Sequence, residues 1–265
     1  MTVHIDAFDR YQHGESLVHR LDPRLKIIIA VAYVVSNSLL PDGAWEALFG
    51  AWLVLLVANV AANLGAGFTL RRSFVALPFA VAAVTVLFLP VGEPLFGIRI
   101  GGHELAVTDA GLLRFSSIIT RTWLSIQMAI LLVSVTQFPD LIHGLEHLRV
   151  PKILTTVVAF LYRYLFVLTD EVLRLSRARQ ARSAGAPGRQ AGRDVIWRAR
   201  VTGNMAGQLF LRSYERSDRI YQAMLARGYR GNLRTMNPHR IRPADWAATV
   251  AAISLIAMLQ LLGRA

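Results

Sequence analysis

Five long apolar runs constrain the fold of this chain more than any other feature of its sequence. The runs cover residues 25–40, 44–64, 74–91, 118–136 and 247–262. A helix needs about 20 apolar residues to cross the roughly 30 Å hydrocarbon core of a bilayer, so each run approaches the length of a membrane-spanning helix. Hydrophobic residues make up 54% of the 265 residues and charged residues only 17%, which is too apolar for an ordinary soluble domain. The sequence therefore predicts an all-α membrane protein, built as a polytopic bundle of transmembrane helices.

The first two runs are separated by Pro41-Asp42-Gly43, which predicts a tight turn between two helices that form a hairpin. The first run has only sixteen residues, so we expect a flanking residue such as Lys26 to extend its amine toward the lipid headgroups. Asp22 and Pro23 precede the same run. An Asp at that place can cap the first membrane helix, and a Pro suits its first turn.

The distribution of Lys and Arg predicts which side of the membrane each end of the runs faces, because short cytoplasmic loops are enriched in these residues. The basic residues before the first run and after the second are Arg10, Arg20, Arg24, Lys26, Arg71 and Arg72. The turn between the two runs has none, so we predict a cytoplasmic N-terminus and about four spans within residues 1–136. Residues 244–265 are predicted to form a further transmembrane helix. The Gly-rich stretch 92–117 is typical of an external loop or hairpin.

Nearly all of the formal net charge of +12 lies in one polar stretch, residues 170–242, which has sixteen Arg, no Lys and five Asp or Glu. Its pattern predicts two amphipathic helices, separated by a loop at 184–188 where Gly and Pro interrupt the helix. The apolar sides of these helices contain Val172, Leu173, Leu175, Met205, Leu209, Ile220, Met224 and Leu225. We therefore predict that residues 137–243 form a cytoplasmic or interfacial coupling domain of long amphipathic helices.

Residues 150–169 are apolar enough to cross a membrane but carry Arg163 near their middle. A central Arg costs about 2.5 to 3.5 kcal/mol on insertion scales, and a crossing here would place the basic stretch outside the cell. We therefore favour a helix packed on the cytoplasmic side of the bundle, or one partly immersed in the membrane, with breaks at Pro139 and Pro151. The buried Arg163 would then need a partner, and Asp170 lies too far along the helix to serve. The alternative is a true span, with one of the other predicted spans wrong.

Each of the two predicted basic helices ends in Ala-Arg followed by a small residue. The first ends in Ala181-Arg182-Ser183 and the second in Ala226-Arg227-Gly228, where Gly228 is well placed as a C-terminal cap. The second triplet lies within SYERSDRIYQAMLARGYRG, residues 213–231, and LDPRLK precedes the first apolar run at residues 21–26. In this order the segments resemble the T component of energy-coupling-factor (ECF) transporters. The longer string is similar, more narrowly, to the CbiQ subfamily of cobalt and nickel systems.

This resemblance implies a transporter subunit of the bacterial cytoplasmic (inner) membrane, without catalytic residues, cofactor or metal of its own. In that family two coupling helices cross in an X, and each Ala-Arg-small end docks in a groove of one of two cytoplasmic ABC ATPases (CbiO-like), which bind ATP and Mg²⁺. By position, the docking residues would be Ala181, Arg182, Ser183, Ala226, Arg227 and Gly228. A separate substrate-binding membrane subunit (CbiM-like) would hold the cobalt or nickel ion, and a small accessory membrane subunit (CbiN-like) can accompany it.

Two other functions have some support in the sequence, and two further sites do not. His143-Gly144-Leu145-Glu146-His147 matches the H-x-x-E-H pattern of a class of zinc peptidases, although no third ligand is evident and these residues also suit the polar side of an amphipathic helix. A T component for a vitamin is a further alternative, because another chain selects the cargo. The arginines have too few aromatic neighbours for a single-stranded nucleic-acid site. The histidines at 4, 13 and 19 lack the spacing of a compact metal site.

Overall fold

The computed structural model describes residues 11–65, 67–88, 94–100, 103–182, 195–231 and 241–264. The α-helices are α1 (Leu17–Arg20), α2 (Pro23–Ser38), α3 (Trp45–Ala61), α4 (Phe68–Arg72), α5 (Leu77–Ala83), α6 (Asp109–Val135), α7 (Phe138–His147), α8 (Lys152–Arg182), α9 (Val195–Ala226) and α10 (Pro243–Leu262). The other elements are the 3₁₀ segments Ser73–Ala76 and Val84–Phe88 and the antiparallel strands β1 (Pro94–Ile100) and β2 (His103–Thr108). The predicted all-α fold class is confirmed, with one short β-hairpin added to the helices.

Backbone contacts divide the chain into two compact units. Asp9–Leu148 with Pro238–Ala265 form a helical bundle that contains α1 to α7 and α10. The other unit includes Arg149–Asn237 and therefore the long helices α8 and α9. The sequence places the start of the coupling domain at residue 137, whereas α7 packs against α2 as part of the bundle. Gly144 keeps this contact close, because a Cβ there would lie 2.8 Å from Ile27 Cδ1.

The core of the bundle lies among α2, α3, α6 and α10. Both α6 and α10 pack against α2 and α3. Its buried apolar residues are Tyr33, Leu40, Ala47, Leu48, Ala51, Leu55, Ala62, Leu124, Leu131, Val135 and Ile256. The predicted turn joins α2 to α3, with Gly43 at φ +86°, a conformation that favours Gly. The N-terminus of α2 is capped as predicted. Asp22 Oδ1 accepts a hydrogen bond from the Arg24 amide at 2.9 Å, and Pro23 is the first residue of the helix.

Lys26 is buried inside the bundle, so the prediction that it extends toward the headgroups is wrong. Only 6% of the residue is exposed. Its amine donates to the carbonyl oxygen of His19 at 2.9 Å and to that of Val135 at 3.0 Å, which lie at the ends of α1 and α6. The last carbonyls of a helix have no partner within the helix, and a cation is favourable beside them. One lysine in the first turn of α2 therefore satisfies the ends of two other helices.

The third apolar run folds as an interrupted helix over Phe68–Phe88. The α-helical pieces α4 and α5 alternate with the two 3₁₀ segments. Pro78, in the first turn of α5, has no backbone N–H to continue the preceding turn. Ser73 anchors the first 3₁₀ segment, because its hydroxyl donates to Leu70 O at 2.7 Å and accepts from Trp123 Nε1 at 2.8 Å. The run therefore packs on α6 without forming one regular helix.

α6 is longer than the fourth apolar run, because it begins at Asp109, directly after the β-hairpin. This extension carries Arg114, and Arg121 lies inside the predicted span. Both guanidinium groups bind the Asp42 carboxylate, Arg121 at 2.9 Å and Arg114 at 3.2 Å. Asp42 belongs to the turn between α2 and α3, so these ion pairs attach that turn to α6.

Among the described residues, four helices are long and apolar enough to cross a membrane: Phe68–Phe88, Asp109–Val135, Lys152–Arg182 and Pro243–Leu262. Trp45–Ala61 is a shorter apolar helix, and α2 has 16 residues. Many large apolar side chains of these helices are exposed, Phe74 and Leu261 among them. An exposed apolar surface of this extent is typical of a protein that lipid or partner helices cover. The chain is a membrane protein.

α8 runs without a break from Lys152 to Arg182, so the predicted separation of residues 150–169 from the first basic helix is wrong. No Gly or Pro lies between its ends, and nothing in the backbone stops the helix where the side chains change from apolar to charged. Its 31 residues span about 46 Å at 1.5 Å per residue. The apolar segment and the basic end are therefore two halves of one rigid element.

Candidate functional site at the ends of the long helices

The helices α8 and α9 lie antiparallel beside each other. Near the end of α8, Arg179 Nη1 lies 3.5 Å from Thr202 Oγ1. Closer to the middle of α8, Glu171 Oε1 accepts a hydrogen bond from Arg212 Nη1 at 2.9 Å. Nearer its start, Phe160 lines the same cavity as α9 residues 220–224. Position along α9 therefore rises as position along α8 falls, and the C-terminal ends of the two helices lie at opposite ends of the pair.

Glu171 connects the two helices just beyond the apolar half of α8. Its carboxylate binds Arg174 at 2.7 Å within α8 and Arg212 at 2.9 Å on α9. Both guanidinium groups donate hydrogen bonds to this carboxylate. Ion pairs in water contribute little to stability. The contact therefore contributes little to the free energy of folding, but it fixes the point at which α9 is joined to α8.

The second triplet ends α9 in a glycine-capped turn. Gly228 has φ +79°, its amide donates to Leu225 O at 2.9 Å, and the Tyr229 amide donates to Met224 O at 3.0 Å. These two bonds define the Schellman motif, in which a left-handed residue lets the chain satisfy the last helical carbonyls. Met224 and Tyr229 also line the same cavities, as the apolar contact of this motif requires. The predicted cap is confirmed, and it gives Arg227 a defined place at the end of α9.

Replacing Gly228 by Ala is expected to loosen the last turn of α9, because the left-handed conformation costs an L-residue about 1 to 2 kcal/mol. Gly207→Ala is the matched control, since Gly207 lies inside the same helix with no atom within 4 Å of a new Cβ. That change is expected to stabilise α9 by up to about 1 kcal/mol. Hydrogen exchange of residues 220–231 in the full detergent-solubilised chain should be faster for Gly228→Ala only. Equal exchange in the two variants would contradict the assigned cap.

The first triplet lies at the opposite end of the helix pair. Ala181 and Arg182 form the exposed end of α8, whereas Ser183 and the predicted loop at 184–188 lie outside the described residues. Arg182 follows Arg179, which lies beside Thr202. The part of α9 from Thr202 to Arg227 is roughly 40 Å long at 1.5 Å per residue. The two triplet arginines are therefore separated by about this distance.

Both triplet arginines are available to bind another molecule. Arg182 and Arg227 are exposed, and neither guanidinium group has a carboxylate or hydrogen-bond partner within the part of the chain that the structure describes. A guanidinium holds five donors in a planar fork, which suits carboxylates and backbone carbonyls. Ala181, Ala226 and Gly228 are small, so each helix end can enter a groove. The arrangement is suited to docking.

Arg163 lies on the side of α8 that borders α9, and it is exposed rather than buried as the sequence suggested. It lines an open cavity of about 920 Å³ together with Arg227 and Arg230. The sequence marks Arg163 by its cost within an apolar segment, and Arg230 by its place directly after the second triplet. Neither signal predicts that the two residues meet, because that depends on how the long helices pair.

The histidine pattern on α7 forms a compact pair of rings. His143 and His147 are edge to face with centroids 4.5 Å apart, and His147 Nδ1 lies 3.0 Å from the His143 carbonyl oxygen. No group of three or more His, Cys, Asp or Glu residues placed to hold a metal occurs within the described ranges. The ring of His19 lies 2.7 Å from Ser16 Oγ and 3.0 Å from Gln12 O, contacts that order the N-terminal segment.

Comparison with known proteins gives one family and several relatives. A family model described as cobalt transport protein, CbiQ, matches residues 14–239, which include both triplets. The chain is 28% identical over 270 residues to the energy-coupling factor transporter transmembrane protein EcfT of Thermosediminibacter oceani, covering 96% of each chain. It is 29% identical over 195 residues to the cobalt transport protein CbiQ of Rhodobacter capsulatus, covering 73% of this chain and 75% of that one. An uncharacterized protein of Methanocaldococcus jannaschii is 26% identical over 261 residues, covering 97% of this chain and 86% of its own length.

Proposed function

Because this chain belongs to the CbiQ family of cobalt transport proteins and is a T component of the ECF type, we propose that it couples two cytoplasmic ATPases to a substrate-binding membrane subunit. The transported ion would be cobalt or nickel, and the membrane would be the bacterial cytoplasmic membrane. ATP and Mg²⁺ would bind to the ATPases, and this chain would make or break no covalent bond. One observation carries the proposal: two exposed arginines end two helices that a shared carboxylate connects.

The separation of the two ends supports two partners rather than one. Arg182 and Arg227 lie roughly 40 Å apart along the pair, too far for one docking groove to hold both ends. Two copies of an ATPase could therefore each take one end. Each small-residue end would enter a groove, and each guanidinium would bind carboxylates or carbonyls there.

Motion would pass through the helices themselves. A packed helix transmits a displacement as a rigid body, because its core contacts have few alternative arrangements. α8 is continuous from its apolar half to Arg182, and α9 is joined to it through Glu171 and Arg212. Closure of an ATPase pair on the two ends would therefore move both helices together. The substrate-binding subunit would receive that motion through the apolar surfaces of these helices.

The choice of ion would belong to the substrate-binding subunit. Relatives of this chain carry either the name EcfT or the name cobalt transport protein, and only the second name states a cargo. The match to the CbiQ family model favours cobalt or the similar nickel ion over a vitamin. Uptake assays with cobalt, nickel and a vitamin in cells that express different substrate-binding subunits would separate these cargoes.

Co-purification tests the proposal directly. The tagged chain is expressed with the ATPases and the substrate-binding subunit, extracted in detergent and isolated. We expect two ATPase subunits per chain and ATP-dependent cobalt uptake in the same cells. A chain that purifies alone, from cells whose uptake does not depend on it, would refute the coupling role. Stoichiometric zinc in the chain, with an activity lost on Glu146→Gln, would instead favour the peptidase that the His143 motif suggests.

A further inference from the structure

Three arginines converge on the cavity beside the second triplet. Arg163 comes from α8, Arg227 ends α9, and Arg230 follows the glycine cap. No Asp or Glu is among the described residues that line the cavity. None of the three guanidinium groups has an ion-pair partner elsewhere in the described chain. Three like charges around one cavity repel each other, so the site favours an anionic ligand.

The dipole of α9 accounts for two of these arginines but not for the third. A helix C-terminus carries a partial negative charge, which favours basic residues such as Arg227 and Arg230 near the end of α9. Arg163 lies in the apolar half of α8, far from either end of that helix. The dipole of α9 gives no reason for an Arg at this point of the neighbouring helix. The position of Arg163 is therefore the observation that needs a reason.

One apolar face of α8 lies away from this cavity. Leu154, Val158 and Leu161 are exposed and follow one another at helical spacing. At 3.6 residues per turn, Arg163 lies roughly on the opposite side of the helix. Arg163 and these three apolar side chains therefore lie on opposite faces of α8. That cation borders α9 at the level of the second triplet.

We propose that Arg163, Arg227 and Arg230 form one anion-binding cavity, which receives acidic side chains of the ATPase that docks at the second triplet. This inference rests on the proposed coupling function and adds two residues to one docking site. Charge complementarity supports it, because a guanidinium binds a carboxylate with two parallel hydrogen bonds. Continuity supports it as well, since Arg227 belongs to both the triplet and the cavity.

The walls of the cavity strengthen such binding. Phe160, Tyr164 and Tyr229 line it together with the arginines. Aromatic walls exclude water once a ligand enters, and a charge pair is stronger where water is excluded. The same three residues also border an apolar groove of about 680 Å³ between α8 and α9. The best occupant is therefore an acidic protein segment with apolar side chains beside its carboxylates.

Binding of the purified ATPase pair to the full chain in detergent tests the proposal. Arg163→Gln and Arg230→Gln are each expected to raise Kd about tenfold, the loss of one charge-assisted contact. Arg219→Gln is the matched control, since Arg219 is exposed on α9 and does not line the cavity. It is expected to bind as the wild type does. Circular dichroism and size-exclusion chromatography on all three variants establish that each is folded.

The outcomes separate this inference from the function on which it rests. Wild-type affinity in both cavity variants, with binding lost in Arg227→Glu, would overturn the three-arginine cavity and leave the docking role intact. Failure of the wild-type chain to bind the ATPases would reject both. Binding to phosphatidylcholine vesicles with and without phosphatidylglycerol provides a further arm. A loss confined to the anionic vesicles in Arg163→Gln and Arg230→Gln would replace the ATPase by a lipid headgroup as the occupant.

Discussion

Cobalt uptake is expected to stop when both docking arginines are reversed together, Arg182→Glu with Arg227→Glu, although the chain still inserts into the membrane. Each substitution puts a carboxylate where the proposed groove presents acceptors, and it removes one partner of a desolvated charge contact, a loss that typically costs about 2 to 5 kcal/mol. Loss at both ends should therefore reduce ATPase binding by several orders of magnitude. Accumulation of cobalt by whole cells and ATPase recovery after purification are the two measurements.

The control for this result is Arg177→Glu with Arg219→Glu. These arginines are exposed, one on α8 and one on α9, and they lie outside the triplets and the cavity. The change in net charge is the same, so any effect of charge on insertion or on nonspecific binding is shared. We expect uptake and ATPase recovery close to wild type. If both double variants lose uptake equally, net charge and not docking is responsible.

Lys26→Met is expected to cause a large loss of stability. The change keeps an unbranched side chain of similar length but removes the amine that donates to the His19 and Val135 carbonyls. A buried acceptor left without its partner costs about 1 to 3 kcal/mol, and two are left here. The midpoint of thermal aggregation in detergent should fall by several degrees. Fluorescence-detected size-exclusion chromatography after heating measures it.

Lys152→Met is the matched control for this prediction. Lys152 is the only other lysine in the chain and is exposed in the first turn of α8. The same chemical change there should leave the midpoint within a degree or so of wild type, as expected for most surface substitutions. Equal midpoints for Lys26→Met and the wild type would mean that the two carbonyls are satisfied in some other way.

Local sequence rules predicted much of the fold. The apolar runs mark the membrane helices, and the Asp22 cap, the turn at Gly43 and the cap at Gly228 each depend on a few adjacent residues. The error at Lys26 has a different origin. A basic residue near the end of a short span can extend to the headgroups, but this one meets the ends of α1 and α6. The position of those carbonyls is a property of the packed bundle.

For the candidate site too, the sequence predicted the local features but not the contacts between helices. Arg182 and Arg227 follow from the ends of two amphipathic patterns, and each requires only its own helix. The boundary near residue 170 was wrong, because a change in side-chain polarity does not interrupt a backbone that has no Gly or Pro. The meeting of Arg163 with Arg230 depends on the register between α8 and α9. That register arises from long-range contacts such as the bond between Glu171 and Arg212.

The uninterrupted α8 has the geometry of a lever with unequal arms. If the contact of Glu171 with Arg212 is the fulcrum, the arm toward Arg182 is about 16 Å long and the arm toward Lys152 about 29 Å. A push of 1 Å at the basic tip would then swing the apolar tip through roughly twice that distance. Spin labels at residues 152 and 178, which leave the docking arginine in place, would show unequal displacements with and without ATP. Equal displacements would mean that the rod slides rather than tilts.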